Sequence, residues 1–304
     1  MSSTPIPPAT PDSRLADPGA IPLLTLMQER ANWERWLRQL TVLVRMDLLR
    51  HFFTRRAIWL HLLALAPVGI TGLYYVMQIF KGPRGTLGAD TLAFAGIFQI
   101  LYLRFLIFFG TLAVGTYLVR GEVLGKTLHF YFLLPVRRDL FLFSRYVVGV
   151  VATSLVFMIS VTAAYFLILM HRGSEFWVFL MQGQGLANLL DYLLVTILAC
   201  AGYGAVFLLA SLYVRNPLIP GAIVFVWEAI NVFLPAILQK ISVIYYLKSL
   251  SPVDAPIDGA LALIVVPPEP ISRAVAVIGL LVLIAGLLTL GSWRVKRTEI
   301  DYTD

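Results

Sequence analysis

Six long apolar blocks occupy most of the sequence and constrain its fold more than any other feature. Each block reaches the roughly 20 residues that a helix needs to cross the hydrocarbon core of a bilayer. The runs are continuous and do not alternate with polar residues, which favours helices over the strands of a membrane barrel. The blocks are Ala57 to Phe80, Thr91 to Val119, about Leu140 to Met170, Leu189 to Val214, Ile219 to about Leu238, and Ala274 to Val295.

The composition also indicates a membrane protein. Of the 304 residues, 59% are hydrophobic and only 13% are charged, whereas soluble domains carry about 25% charged residues. The net charge of +7 would favour a nucleic-acid partner in a soluble protein. Because lysine and arginine also accumulate in the cytoplasmic loops of membrane proteins, we expect the lipid bilayer as a partner and no nucleic acid. The fold class predicted is an all-α integral membrane protein with six transmembrane helices.

The distribution of positive charge predicts the orientation of the chain. With the N-terminus inside, 17 of the lysines and arginines fall on inner segments. Six fall on outer segments, namely Lys81, Arg84, Arg172, Lys240, Lys248 and Arg273. Since positive charge marks the cytoplasmic side and six spans return the chain to that side, both termini are expected in the cytoplasm. The predicted location is the inner (plasma) membrane, crossed several times.

Two segments precede the first block. Residues 1–27 are rich in proline and small polar residues, which predicts a disordered cytoplasmic tail. In residues 28–56, apolar side chains recur at steps of three and four while arginines take the other faces, and the apolar positions are Trp33, Trp36, Leu37, Leu40, Val44, Leu48 and Phe52. This pattern predicts an amphipathic helix in the inner interface; the segment is too short for the alternative, a soluble domain. Residues 57–304 then form the six-span domain.

The fifth block is interrupted by polar residues and proline. Pro235, Gln239 and Lys240 follow its apolar start. These residues do not suit a continuous lipid-facing helix. The sequence therefore predicts a broken fifth span, followed by a short helix and a loop in the outer leaflet.

The segment RGEVLGKTLHFYFLLPVRRD, between the second and third blocks, nearly matches a phosphate-binding loop. Such a loop has four residues between its glycines and follows a buried strand. Here three residues separate Gly121 from Gly125, and the segment follows an apolar block, so we expect no ATP to bind this chain. Its amphipathic pattern predicts a short helix across the inner membrane surface, and Pro135 favours the start of a new helix.

The same segment resembles a loop pattern of the membrane subunits of ABC exporters of the second permease type. That pattern is an acidic residue, Gly-Thr-Leu, six residues, and Pro-Val-x-Arg; the matching positions are Glu122, Gly125, Thr127, Leu128, Pro135, Val136, Arg137 and Arg138. This chain departs from the pattern by an inserted Lys126 and by His129 where an acidic residue usually stands. The six-span layout, the N-terminal interfacial helix and the broken fifth span are also similar to that family.

The resemblance implies the role of each part. The segment between spans 2 and 3 would be a cytoplasmic coupling helix that contacts a separate cytoplasmic ATP-binding subunit. The chain would be a permease that forms the export path together with a second permease subunit. ATP and magnesium would bind in the partner subunit, so the resemblance implies no cofactor, no metal and no catalytic residue in this chain, which is not expected to be an enzyme.

Two charged residues fall deep within apolar blocks. Arg104 lies near the middle of the second block, and Glu228 lies at a similar depth in the fifth. A lone charge at mid-membrane costs at least about 2.5 kcal/mol, so we expect a contact between these two side chains. The pair could line or gate the transport path, or it could fix the packing of the helices.

Two other functions remain open at this point. A membrane-embedded lipid-modifying enzyme needs convergent catalytic groups, but the histidines show neither catalytic nor metal-ligand spacing; they are His51, His61, His129 and His171. A membrane anchor or assembly protein would not need charges within its spans. The single cysteine, Cys200, excludes an internal disulfide.

Overall fold

The computed structural model describes residues 57–82, 85–124, 138–214, 216, 218–231, 234–254 and 271–297, and six positions between 38 and 48. All regular elements in these residues are helices. They are α1 (Ala57–Lys81), α2 (Leu87–Gly96), a π-helical segment (Ile97–Leu106), α3 (Ile107–Leu124), α4 (Arg138–Leu169), a 3-10 turn (Met170–Arg172), α5 (Ser174–Gln182), α6 (Gly185–Tyr213), α7 (Leu218–Ile230), α8 (Ala236–Gln239), α9 (Val243–Leu250) and α10 (Arg273–Arg297).

Within this part of the chain, five helices are long and apolar enough to cross a membrane. They are Ile58–Lys81, Leu87–Leu118, Leu142–Arg172, Gly185–Tyr213 and Arg273–Arg294. They correspond to the first four apolar blocks and the last one, which confirms an all-α, multi-pass membrane protein. Among the described residues, the longest helix of the fifth block is α7, which has 13 residues and is about 20 Å long at 1.5 Å per residue. That length is shorter than the hydrocarbon core of about 30 Å, so a sixth span stays a prediction.

The second span begins earlier than the sequence predicts. Helix α2 starts at Leu87, within the segment expected to be an outer loop. Thr86 caps this helix, because its hydroxyl accepts a hydrogen bond of 3.2 Å from the backbone N–H of Ala89, as threonine often does at a helix N-terminus. The helix therefore includes Asp90, whose side chain is buried.

Aromatic side chains fill the centre of the bundle. Phe94 of α2 packs edge-on against Tyr165 of α4, with ring centroids 5.1 Å apart. Phe98 of the π-helical segment lies 4.6 Å from the ring of Tyr192 on α6. These large, fully buried rings hold the second span (α2 and the π-helical segment), α4 and α6 together. On α1 and α10, the faces that point away from the bundle centre expose many large apolar side chains, as expected for surfaces in contact with lipid.

Buried hydroxyl groups also join the helices. The Tyr102 and Ser160 side-chain oxygens lie 2.7 Å apart, and the Ser160 hydroxyl donates to the carbonyl of Ala64. Because the serine has one proton to donate, the Tyr102 O–H donates to Ser160. A bilayer supplies no water for such groups, so this chain of hydrogen bonds fixes α1, the π-helical segment and α4 relative to one another.

Six positions of the predicted N-terminal amphipathic helix are described, and all six are helical. Val44 and Leu48, both on the predicted apolar face, are partly buried against the core. Arg38 and Arg45 are exposed. The rest of residues 28–56 and the whole of the predicted tail, residues 1–27, lie outside the described residues. Placement of this helix in the membrane interface stays a prediction.

Gly110 allows α3 and α4 to pack closely. A Cβ atom at this position would lie 2.7 Å from two ring atoms of Phe157 and 3.1 Å from Leu60, and Phe157 is fully buried. We therefore expect Gly110→Ala to destabilise the fold by about 1–3 kcal/mol. Thermal unfolding in detergent would measure the loss.

The matched control is Gly286→Ala in α10, where a Cβ atom would meet nothing within 4 Å. Alanine favours a helix over glycine by about 1 kcal/mol, so this variant should unfold at the same temperature or a higher one. Equal unfolding temperatures for Gly110→Ala and the unsubstituted protein would contradict the predicted clash.

Candidate functional site

Helix α7 packs antiparallel to α3 along one face. Gly221 and Phe225, one turn apart on α7, meet Leu112 and Phe108 on α3 in reverse order. A Cβ atom on Gly221 would lie 2.7 Å from Leu112 Cδ2, and the rings of Phe225 and Phe108 are 5.4 Å apart. The next position on this face of α7 is Glu228. Glu228 on α7 therefore lies at the same level of the bundle as Arg104 on the π-helical segment.

Glu228 is buried and caps the N-terminus of α9. Its carboxylate accepts hydrogen bonds from the Ser242 hydroxyl (2.5 Å) and from the backbone N–H groups of Val243 (3.1 Å) and Ile244 (3.2 Å). These N–H groups begin a helix and have no partner within it. A carboxylate also interacts favourably with the positive end of the helix dipole. Glu228 therefore fixes the point at which α9 starts inside the bundle.

Two basic residues lie on elements that pack beside Glu228. The register of α7 against α3 puts Arg104 at the level of Glu228, and Lys248 lies in α9, whose first N–H groups bond to Glu228. Arg104 and Lys248 are half-buried. We call Arg104, Glu228 and Lys248 the charge cluster.

The expected contact between Arg104 and Glu228 is not among the ion pairs of the described residues. The ion pairs found among the described residues do not join these two side chains, and the direct partners of Glu228 belong to α9 and to Ser242 before it. The predicted contact between the two side chains stays a prediction. The register of α7 against α3 places both residues in one layer.

The charge cluster adjoins an aromatic seam. The seam consists of Phe105, Phe108, Phe109 and Phe225, with Phe225 lying 5.7 Å from Phe105 and 5.5 Å from Phe109 between ring centroids. Phe105 and Phe109 are each 41% exposed. A surface of aromatic rings therefore continues directly from the charged layer between α3 and α7.

The connection between α7 and α9 folds back before α9 begins. The Gln239 side chain donates a hydrogen bond of 2.9 Å to the carbonyl of Leu234, and the Asn231 side chain donates one of 3.4 Å to the carbonyl of Gln239. These bonds hold a turn that brings the start of α9 back beside Glu228. After α9, the carbonyl of Val253 accepts from the Gln99 side chain at 2.9 Å, so α9 leads away from Glu228 along the π-helical segment.

A second polar cluster lies near the α1–α2 connection. We call it the Asp90 cluster, and its members are Tyr74, Gln78, Asp90, His171 and Arg172. Asp90 accepts from Arg172 Nε at 2.6 Å and from the Tyr74 hydroxyl at 2.7 Å, and His171 Nε2 lies 3.4 Å from its carboxylate. The Asp90 side chain is only 2% exposed. One carboxylate therefore joins α1, α2 and the 3-10 turn that follows α4.

The predicted coupling segment lies mostly outside the described residues. Glu122 is in the last turn of α3, and Arg138 is the first residue of α4; only their backbones are described. The five other predicted contact residues fall in the gap between these helices, and they are Gly125, Thr127, Leu128, Pro135 and Arg137. The described helices thus place the segment at the junction of two membrane-spanning helices.

Sequence reasoning missed two features of these sites. The charge count placed Lys248 on an outer segment and gave it no role, whereas the structure places it in α9, whose N-terminus Glu228 caps. Its position in the apolar run VIYYLKSL was the available signal. Nothing in the sequence links Asp90 to Arg172, 82 positions away. In the described part of the chain, no group of three or more His, Cys, Asp or Glu side chains is placed to hold a metal ion.

Comparison with protein-family models and with curated proteins finds no match to this chain. The helices and their composition define its class as a multi-pass, all-α membrane protein.

Proposed function

We propose that this protein is the permease subunit of an ATP-driven ABC exporter of the second permease type. The observation that carries the proposal is the loop pattern from Glu122 to Arg138, located where α3 ends and α4 begins. In this role the loop is the coupling helix and contacts a cytoplasmic ATP-binding subunit. Two permease subunits form the export path, while ATP and magnesium bind to the ATPase subunits.

The remainder of the fold is consistent with this role. The elements α7, α8 and α9 together supply a sixth, broken crossing, since α7 alone is too short. Six crossings place both termini in the cytoplasm, in agreement with the charge distribution. The protein would lie in the inner (plasma) membrane with the loop between α3 and α4 on the side that holds ATP.

One continuous helix connects the loop to the charge cluster, so a movement of the loop can be transmitted along it. The last turn of α3 precedes the loop, and α3 is continuous with the π-helical segment that carries Arg104. A rigid displacement of α3 therefore changes its contacts with α7 through the aromatic seam. In this mechanism, Arg104 and Glu228 lie along the path and respond to ATP-driven movement of the loop.

Co-expression with candidate ATP-binding subunits tests the proposal. We expect one such subunit to co-purify with this chain in mild detergent and to hydrolyse Mg-ATP. Arg138→Glu or Glu122→Lys should weaken this association, because each reverses a charge in the proposed contact. Lys81→Glu is the matched control, since Lys81 is exposed and lies on the opposite side of the membrane in the predicted orientation. Failure of any ATPase to associate, or equal association of all variants, would contradict the proposal.

A further inference from the structure

The connection between α4 and α6 contains a helix that is too short to cross a membrane. This helix, α5, has 9 residues and is about 14 Å long at 1.5 Å per residue. It follows the end of α4 that lies opposite the proposed coupling loop, and α6 begins soon after it, at Gly185. Because both flanking helices are long and apolar enough to span the membrane, α5 lies at one surface of the bilayer.

Contacts with α4 and α6 place α5 level with the spanning helices rather than above them. Phe176 of α5 is fully buried, and its ring centroid lies 5.6 Å from that of Phe166 on α4. The Tyr165 hydroxyl, also on α4, donates a hydrogen bond of 2.9 Å to the carbonyl of Gly185. Both α4 residues lie in a spanning segment that continues to Arg172. The α5 helix and the start of α6 are therefore beside the last turns of that segment.

An apolar face of α5 is exposed next to its buried face. Phe176 and Leu180 are buried in the protein. Trp177 and Met181, which follow them in the chain, are 51% and 69% exposed, and Val178 is also exposed. With about 3.6 residues per helical turn, these five positions form one continuous apolar arc. The protein covers only part of this arc.

The other side of α5 is polar. Glu175 and Gln182 are two helical turns apart, which places them on the same face, and both are exposed. A short helix with an apolar arc and a polar face on the other side suits a position in the membrane interface, where the polar face contacts water. Tryptophan is also enriched at this level of a bilayer.

The exposed face of α5 adjoins a surface that contacts lipid. Leu186 and Leu190 lie on one face of the first turns of α6, and both are exposed. Because α6 is long and apolar enough to span the membrane, we assign this face to contact with acyl chains. The α5 helix packs directly on this part of α6, since a Cβ atom on Gly185 would lie 2.9 Å from Leu180 Cα.

We infer that α5 is an interfacial helix and that the face formed by Trp177, Val178 and Met181 binds the lipid leaflet at this end of the bundle. The opposite face, with Glu175 and Gln182, contacts water. The inference goes beyond the proposed function and does not depend on it. The predicted orientation of the chain names this leaflet as the outer one.

Fluorescent labels at two neighbouring positions test the inference. Met181→Cys and Gln182→Cys are made separately in the full-length chain after its single cysteine is removed by Cys200→Ala. Each variant is labelled with the same small dye in nanodiscs of neutral lipid. Lipids that carry a nitroxide near the head group quench dyes within the interface, whereas iodide quenches dyes in water. We expect the nitroxide lipid to quench the Met181→Cys label more strongly than the Gln182→Cys label, and iodide to show the reverse order.

A second pair, Trp177→Cys and Glu175→Cys, has the same expected order and decides the question if a variant of the first pair does not fold. Equal quenching of both faces by the nitroxide lipid, or stronger iodide quenching on the apolar face, would overturn the inference. Self-quenching of Met181→Cys labels in nanodiscs that hold two chains would assign this face to a second copy, and it would also contradict lipid binding. No ATPase subunit is needed, so this outcome is separate from the test of the proposed function.

Discussion

Replacing Asp90 with asparagine is expected to destabilise the folded protein by about 3 kcal/mol or more, the cost of removing one partner from a buried ion pair. The asparagine keeps the shape of the side chain but loses its negative charge. Arg172, whose side chain is 7% exposed, would then lie in the protein without the carboxylate that compensates its charge. The Tyr74 hydroxyl would also lose its charge-assisted hydrogen bond.

The control for this variant is Asp191→Asn. Asp191 also pairs with an arginine, Arg273, at 3.0 Å, but the two side chains are 28% and 63% exposed. Exposed pairs contribute only about 0–1 kcal/mol. Unfolding in detergent, followed by circular dichroism, should therefore show a large loss for Asp90→Asn and a small one for Asp191→Asn. Similar losses for both variants would contradict the role of burial in this argument.

The long helices were predictable because their signal is local. A continuous apolar run of about 20 residues specifies a spanning helix wherever it occurs, and five of the six runs form one. The start of α2 was not predictable from hydropathy, since it depends on the Thr86 cap. The π-helical segment Ile97–Leu106 has no sequence signal, because ten ordinary apolar and polar residues form it within a longer helix.

The candidate site was predictable only for residues that lie at the same depth in two apolar blocks. Arg104 and Glu228 could be associated because both lie at mid-span in apolar blocks. The return of α9 to Glu228 depends on a turn held by Gln239, and sequence spacing does not specify such a turn. Lys248 was therefore counted only as an outer-segment charge, although it lies in the helix that Glu228 caps.

Glu228→Ala is expected to cause the second large loss, about 3–5 kcal/mol of folding stability. The alanine would remove the acceptor for the Ser242 hydroxyl and for two backbone N–H groups at the start of α9. Each buried donor left without a partner costs about 1–3 kcal/mol. The variant would also leave Arg104 and Lys248 without the nearby negative charge.

Comparison with Glu228→Gln separates the two contributions of this side chain. Glutamine retains an oxygen that can accept hydrogen bonds at the start of α9, but it carries no charge to offset Arg104 and Lys248. We therefore expect an intermediate unfolding temperature for Glu228→Gln, and faster hydrogen exchange of the Val243 and Ile244 amides in Glu228→Ala than in Glu228→Gln. Glu175→Ala, at an exposed carboxylate in the first turn of α5, should change neither measurement. Unchanged amide exchange in Glu228→Ala would mean that α9 is held by its packing alone, and the cap would then have no structural role.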